Sequence, residues 1–306
     1  MPFDSPFECA GLWLRCALHM HTTNSDGELA PELLLRHYAR AGYDAVAITD
    51  HWVRTVVDET EGLVVLPGVE LNATIARAGS DAHVLALGVE ADPIEPGRDF
   101  PGLQETVDWI RANSGLAFLA HPYWSGLQLH EFADCDGLAG LEVFNAGCEL
   151  EVGRGLSAVH WDQALEAGKP LLALATDDSH HPGFDSGHAS VFARVDARTP
   201  AALVDSLAAG RFYSSAGPTI EQVIVEEDAV TVRCSPAVRV ALVSARTLGA
   251  STTMGRMGYQ SRAAATARTP AGEIVEARLE RWRSLPYGRV EITDARGRRA
   301  WTNPLW

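Results

Sequence analysis

The sequence predicts an α/β fold, a barrel of about seven strands in preference to an open doubly wound sheet, followed by a small all-β unit. Two observations carry this. Over the first part of the 306-residue chain, short apolar runs alternate with segments of helical period that end on glycine, the pattern of strand–helix units around a parallel sheet. After Gly217-Pro218 the texture changes to short alternating segments with turn residues between them. The boundary is placed there, with a barrel in residues 1–218 and a β-sandwich-like appendage in 219–306.

The elements follow in order. Residues 14–21 alternate and read as a strand. Residues 31–41, PELLLRHYARA, carry apolar side chains at helical spacing, with Pro31 at the first helical position and Gly42 closing the helix. Residues 44–49, DAVAIT, are a short continuous apolar run, as a buried parallel strand requires; 63–66 and 83–89 read the same way. A helix over 103–113 ends at Ser114-Gly115 and precedes strands at 116–120 and 138–144. A helix at 156–167, strands at 170–175 and 189–195, and a helix at 200–209 complete the series. Beyond the boundary, 220–225, 229–234, 238–244, 273–279 and 288–293 are the strands of the β unit.

Composition excludes several classes. Apolar residues make up 46% and charged residues 21%, which suits a globular protein with a sizeable core. No apolar run approaches the roughly 18 residues of a membrane helix, and the N-terminus lacks the basic-then-apolar pattern of a signal peptide, so the expected location is the cytoplasm with no membrane partner. The five cysteines are scattered, odd in number and form no C-x-x-C pair, so they read as buried apolar residues rather than disulfides or zinc thiolates. A net charge of −15 argues against a nucleic-acid partner. Residues 1–218 hold 12 basic and 31 acidic residues, residues 219–306 hold 13 and 9, and all eleven histidines lie at or before His188. The chemistry therefore belongs to the first part, where clustered acids also suit cations.

The chemistry sits at strand ends. The first strand ends in His19-x-His21, the second in Asp50-His51, and the third in Gly68-Val69-Glu70. His83 opens another, His121-Pro122 ends the next, and Asp177-Asp178-Ser179-His180-His181 ends the last. In a parallel barrel such ends share one mouth, where sites are built. Side chains at i and i+2 of a strand share a face, so His19 and His21 can bind one ion, and the turn holding Asn24, Asp26 and Gly27 can fold an acid over it. Imidazole with carboxylate suits zinc, manganese or iron. His83 needs a bend to reach the mouth, because it lies near the start of its strand.

These motifs, LHMHTTNSDG, AITDH, PGVEL, LAHP and DDSH, resemble in order those of the polymerase and histidinol phosphatase (PHP) superfamily of metal-dependent phosphoesterases. The resemblance implies a distorted seven-stranded (β/α)7 TIM-like barrel holding two or three divalent ions. It would place His19, His21, Glu70 and Asp178 on the first ion, Asp26, His51 and His180 on the second, and Glu70, His83 and His121 on the third. Asp178 rather than Asp177 fits the family's Asp-x-His spacing. The segment RFYSSAGP and the C-terminal RVEITDARGRRAWTNPLW resemble a subgroup with a small β appendage that includes proteins grouped with carbaryl-hydrolysing esterases.

The expected reaction is hydrolysis of a small phosphate ester by a hydroxide bridging two ions, with the third holding the phosphate. A carbamate or carboxylester hydrolase on the same ions is the alternative; a 3′–5′ exonuclease and a non-catalytic binding module stand behind it. His181 and His188 are candidates for general acid and Arg77 for a phosphate contact, each against a plain surface reading. Asn145 and Tyr123 are expected to line the mouth and Glu142 to buttress ligands; Trp52 and Trp124 read first as core packing, with walling the pocket against water or stacking on an aromatic substrate as the alternatives. His37, His130 and His160 lie away from strand ends and read as structural. The β unit is expected to pack on the barrel, cover an edge or make a homo-oligomer contact.

Overall fold

In the computed structural model, residues 3–75, 81–95, 100–255, 262–280 and 285–305 are described. In chain order they form β1 (Leu12–Ala17), α1 (Pro31–Arg40), β2 (Ala45–Ile48), β3 (Val64–Thr74), β4 (Asp81–Leu87), α2 (Leu103–Ala112), β5 (Leu116–Leu119), α3 (Leu129–Phe132), β6 (Leu138–Asn145), α4 (Ala146–Val152), α5 (Ala158–Glu166) and β7 (Leu172–Thr176). Next come α6 (Pro182–Asp185), β8 (Ser190–Val195), α7 (Pro200–Ala209) and β9 (Phe212–Ser215). The remainder is strand: β10 (Ile220–Val225), β11 (Ala229–Ala237), β12 (Arg239–Val243), β13 (Gly249–Thr253), β14 (Ala263–Arg268), β15 (Ile274–Glu280), β16 (Arg289–Thr293) and β17 (Arg299–Thr302).

The period-two alternation of the strands sets the layers. Leu14 and Cys16 of β1, Ala45 and Ala47 of β2, Val64 and Leu66 of β3, Leu85 and Leu87 of β4, Phe118 of β5, Leu172 and Leu174 of β7 and Val191 of β8 meet in one buried cluster inside the curl of the sheet. Leu203 and Leu207 of α7 join it. The opposite parity, with Val69, Val84, Leu119, Leu141 and Ala173, faces outward onto Val107 and Ile110 of α2 and Trp161 of α5. Leu34, Leu35 and Tyr38 of α1 cover Ala17, Val46 and Ile48. Continuing the inward parity of β3 past Leu66 and Gly68 arrives at Glu70, and reading β4 backward from Leu85 arrives at His83. Both are inward-facing positions.

The sheet is mixed rather than parallel throughout. β1, β2 and β3 run parallel, as do β5, β6 and β7, but β4 is antiparallel to both its neighbours and β8 is antiparallel to β1. The connection from β3 to β4 is residues 75–80, too short for the dozen or more residues of a parallel crossover, so β3 and β4 form a hairpin. The hairpin corrects the expectation that His83 needs a bend: in an antiparallel strand the first residues lie at the mouth, and His83 pairs with Asn72 near the end of β3.

Thirteen strands form one sheet, in the order β13-β12-β16-β17-β9-β8-β1-β2-β3-β4-β5-β6-β7. It crosses the turn after Gly217-Pro218, because β17 pairs with β9. β7 pairs with β6 along one edge; along its other edge side chains replace a ladder. Ser214 Oγ accepts from Ala175 N (3.1 Å) and donates to Ala173 O (2.7 Å). Asn303 Oδ1 accepts from Ala173 N (3.0 Å) while its amide donates to Gly210 O and Phe212 O. Both side chains are buried. The second sheet, β10-β11-β15-β14, packs Val223, Val230 and Val232 against Val240, Leu242, Val290 and Ile292. Arg289, also buried, forks onto Asp162 of α5 at 2.9 Å and lies over the Trp161 ring, tying β16 to α5.

Candidate metal centre

The segment after β1 is clamped on both sides. Asp178 N donates to His19 O (3.0 Å), His21 N to Ser179 O (2.9 Å), and Thr49 N to Met20 O (2.9 Å). His19 and His21 are thereby fixed, fully buried, where β1, β2 and β7 end. The chain then turns. A Cβ on Gly27 would lie 2.2 Å from His21 O, so only glycine permits this close approach. Asp50 holds the turn, accepting from Thr22 N (2.6 Å), Thr22 Oγ1 (2.7 Å), Ser25 Oγ (2.8 Å) and the Thr55 hydroxyl. Asp26 is thus carried over the mouth, 3.4 Å from His21 Nδ1, 3.7 Å from His51 Nε2 and 3.4 Å from His180 Nε2.

Glu70 lies at the centre, with both oxygens engaged. Oε2 is 3.0 Å from His19 Nε2, 3.1 Å from His21 Nε2 and 3.5 Å from His51 Nδ1. Oε1 is 2.9 Å from His83 Nδ1 and 3.2 Å from His121 Nε2. Asp178 Oδ1 adds contacts of 3.1 Å to His19 Nε2 and 3.2 Å to His21 Nε2. Three groups of ligand-type atoms each fall within 4.8 Å of one another: His19, His21, Glu70 and Asp178; His21, Asp26, His51 and His180; and His51, Glu70 and His83. These groups hold eight of the nine residues singled out as ligands in the sequence, and the ninth, His121, joins them at the same mouth through Glu70 Oε1.

The arrangement fits cations. Asp178 Oδ1 and His51 Nδ1 are buried with ligand-type atoms 3.1–3.5 Å away but none in hydrogen-bonding geometry, a costly state that a bound ion relieves. His19 Nε2 and His21 Nε2 face each other at 3.2 Å. Asp178 and His121 also hold left-handed backbone, with φ of 53° and 27°, strain of about 1–2 kcal/mol each that persists where surroundings enforce it.

Burial alone would keep the imidazoles neutral, but the carboxylates outweigh it. Asp178 and Glu70 raise His21 to about 9, and Glu70 and Asp81 raise His83 to about 10. Burial would likewise raise Glu70 and Asp178, yet His19 with His83 holds Glu70, and His19 with His21 holds Asp178, well below the carboxylate range. Without metal the cluster neutralises itself with protons. Because ligation needs neutral imidazole, and the carboxylates raise His19 as well, loading the apoprotein with zinc at pH 7.5 is expected to release about three protons per chain, from His19, His21 and His83. Calorimetry in buffers of different ionisation enthalpy measures this; zero release contradicts it.

Supporting residues orient the ring nitrogens. Glu142 Oε1 is 2.7 Å from His19 Nδ1 and accepts from Thr176 Oγ1 (2.6 Å), while Oε2 accepts from His121 N and Asn145 Nδ2 (both 2.8 Å). His19 Nδ1 therefore carries the proton and Nε2 faces the cluster. Asn72 Nδ2 lies 2.9 Å from His83 Nε2, which turns Nδ1 of that ring toward Glu70. Asp177 points elsewhere, accepting from the backbone N–H groups of Gly187, His188 and Ala189 and from Tyr38. Glu142→Gln is expected to weaken metal affinity about 10–100-fold, read by competition with a chromogenic chelator.

The cluster floors a cleft of about 450 Å³ whose lining includes Trp124, Cys148, Glu151, His181 and Phe184. His181 sits at this rim, exposed, 3.5 Å from Glu28. His188 is outside the lining, its Nε2 3.0 Å from Phe184 O. Arg77 lies outside the described residues. Asn145 is buried beneath the cluster, bonded to Glu142 and Asp178, rather than lining the mouth. Trp124 borders the cleft; Trp52 stacks on Phe100 and donates to Asn72. Tyr123 stands beside His160 and Arg154. His37 bonds Ser186, His160 bonds Leu127 O, and His130 is exposed on α3, all apart from the cluster. Cys148, Glu151 and Phe184 escaped sequence reasoning because they follow strand-end motifs at no fixed spacing.

No protein-family model matches the chain. A stretch of 79 residues is 34% identical to the phosphoribosyl 1,2-cyclic phosphate 1,2-diphosphodiesterase of Eggerthella lenta, covering 24% of this chain and 30% of that protein. The chain thus spans less than a third of that relative's length. A solved two-domain protein of Bacteroides vulgatus, described as containing a predicted PHP-like metal-dependent phosphoesterase, superposes over 96% of this chain and 94% of its own, with TM-score 0.54 and 18% identity. A Bifidobacterium adolescentis protein assigned as a metal-dependent phosphoesterase covers 56% of this chain and 90% of its own, with TM-score 0.44 and 19% identity. The fold of this chain is the PHP-like fold.

Proposed function

We propose that this chain is a metal-dependent hydrolase that cleaves a small phosphate ester. His19, His21, Glu70 and Asp178 would hold one divalent ion, Asp26, His51 and His180 a second, and Glu70, His83 and His121 a third. The observation that carries this is Glu70, whose single buried carboxylate faces imidazoles on both oxygens, as a bridge between ions requires. The curl of the sheet is read as the family's distorted barrel, with the cleft at its mouth.

Bound zinc, manganese or iron would supply an activated water and polarise the phosphoryl oxygen. The chain's own residues do the rest. Glu142 fixes the ring tautomer of His19, and Asp81, 3.5 Å from His83 Nε2, is the acceptor for a proton on that nitrogen, which leaves Nδ1 to face Glu70. His181, at the rim with its Nδ1 near Glu28, is placed to pass a proton to a leaving oxygen.

The test is a chelator-stripped protein reloaded with each metal and assayed on p-nitrophenyl phosphate and 1-naphthyl N-methylcarbamate. Phosphate-ester turnover that vanishes on stripping and returns on loading is expected. Carbamate turnover without phosphate-ester turnover would overturn the phosphoesterase reading in favour of a carbamate or ester hydrolase.

A further inference from the structure

The outer cleft differs in chemistry from its floor. Trp124 and Phe184 both line it, and both leave large apolar surface in water, 37% and 63% exposed. Neither ring hangs on a loose segment. Trp124 donates its indole N–H to Glu151 (3.0 Å) and stands edge-on to His121 at 5.0 Å between ring centres. A group joined to whatever binds beside His121 therefore meets the indole next. Phe184 belongs to the turn of α6, where Asp185 accepts from Ser179 Oγ (2.6 Å), His180 N and His181 N (both 2.8 Å), and Phe184 N donates to His181 O. Two half-solvated aromatic rings, one tethered through its indole N–H and one carried on a hydrogen-bonded turn, are surface that gains by covering a flat apolar partner.

Charge narrows the partner further. Among the described residues, the cleft lining holds no lysine or arginine. Beyond the carboxylates of the cluster it holds Asp185, engaged by Ser179 and two backbone N–H groups, and Glu151, exposed beside Trp124. A second phosphate or carboxylate on the substrate would meet that acid with no lysine or arginine among the described residues of the lining to offset it, and the His181 imidazole at the rim already faces Glu28.

We propose that Trp124 and Phe184 form a subsite for a flat apolar ring, so that the substrate is an aromatic ester with no anionic group beyond the one at the ions. This rests on the reading of the cluster as a metal-bearing hydrolytic centre. The ring would bury its faces on Trp124 and Phe184 while Glu151 keeps the indole in place.

The experiment uses two non-hydrolysable probes with the same head group, phenylphosphonate and methylphosphonate, titrated into zinc-loaded full-length protein by calorimetry. Wild type is expected to bind the phenyl compound at least about 10-fold tighter, from the burial of one ring. That ratio should fall to about 2 in Trp124→Ala and in Phe184→Ala, whose exposed positions spare the fold. A ratio near one in wild type, or a ratio that both variants leave intact, overturns the subsite. If neither phosphonate binds, the phosphoryl reading fails instead. The subsite is then judged on uncharged 1-naphthol: binding to wild type that Trp124→Ala abolishes retains it, and no binding to wild type overturns it.

Discussion

Glu70→Gln is expected to lower turnover on the order of 1,000-fold or more and to strip more than one metal ion from each chain. Glutamine keeps the shape and one acceptor but removes the negative charge shared by the His19, His21 and His51 side and by the His83 and His121 side. Five imidazole rings would then converge on a neutral amide whose NH2 cannot ligate. The expected loss exceeds that of any other single ligand because no other carboxylate touches both sides so closely. Elemental analysis alongside steady-state kinetics reads both effects. A variant with a full complement of metal and turnover within about 3-fold of wild type would show that Glu70 is no bridge.

A chain ending at Pro218 is expected to give no soluble, cooperatively folded product. The cut removes β17, the ladder partner of β9, and with it Trp301, which is buried against Phe144. It strips Arg289 from the half-buried Asp162 and from the Trp161 ring, untying α5 from the C-terminal strands. It also removes Asn303, leaving the Ala173 N–H of β7 without its acceptor three residues before the strand ends and five before Asp178. Asn303→Ala isolates that last contribution: a loss of about 1–3 kcal/mol in thermal or denaturant unfolding is expected. A soluble truncation with wild-type turnover would show that the C-terminal strands serve neither the fold nor the site.

Much of the site was legible because its chemistry is local. His19-x-His21, Asp50-His51, His121-Pro122 and Asp178-x-His180 each sit within a few residues of an apolar run, and hydrophobic period alone places such runs in a sheet. Strand direction was less legible. A continuous apolar run reports burial on both faces, not orientation, so β4 read like β2; only the length of the 75–80 connection reveals the hairpin that puts His83 at the mouth. β9 and β13, rich in serine, threonine and glycine, have little apolar signal and exist because neighbours pair with them. β17 is four residues long for the same reason. Glu142 was read as a buttress from its place on β6, but its four partners come from β6, β7 and the segments after β1 and β5, a convergence that no spacing encodes. Trp124 was legible only as the neighbour of His121-Pro122, and Phe184 not at all.

The central claim is that these distant imidazoles and carboxylates enclose divalent ions around Glu70. Anomalous diffraction at the manganese or zinc edge, from crystals grown with an excess of that ion, tests it most directly. At least two anomalous peaks are expected within ligand distance of Glu70, one of them shared with His19, His21 and Asp178. Fully occupied crystals with no peak in that space, and with His19, His21 and Asp178 turned away from one another, would contradict it.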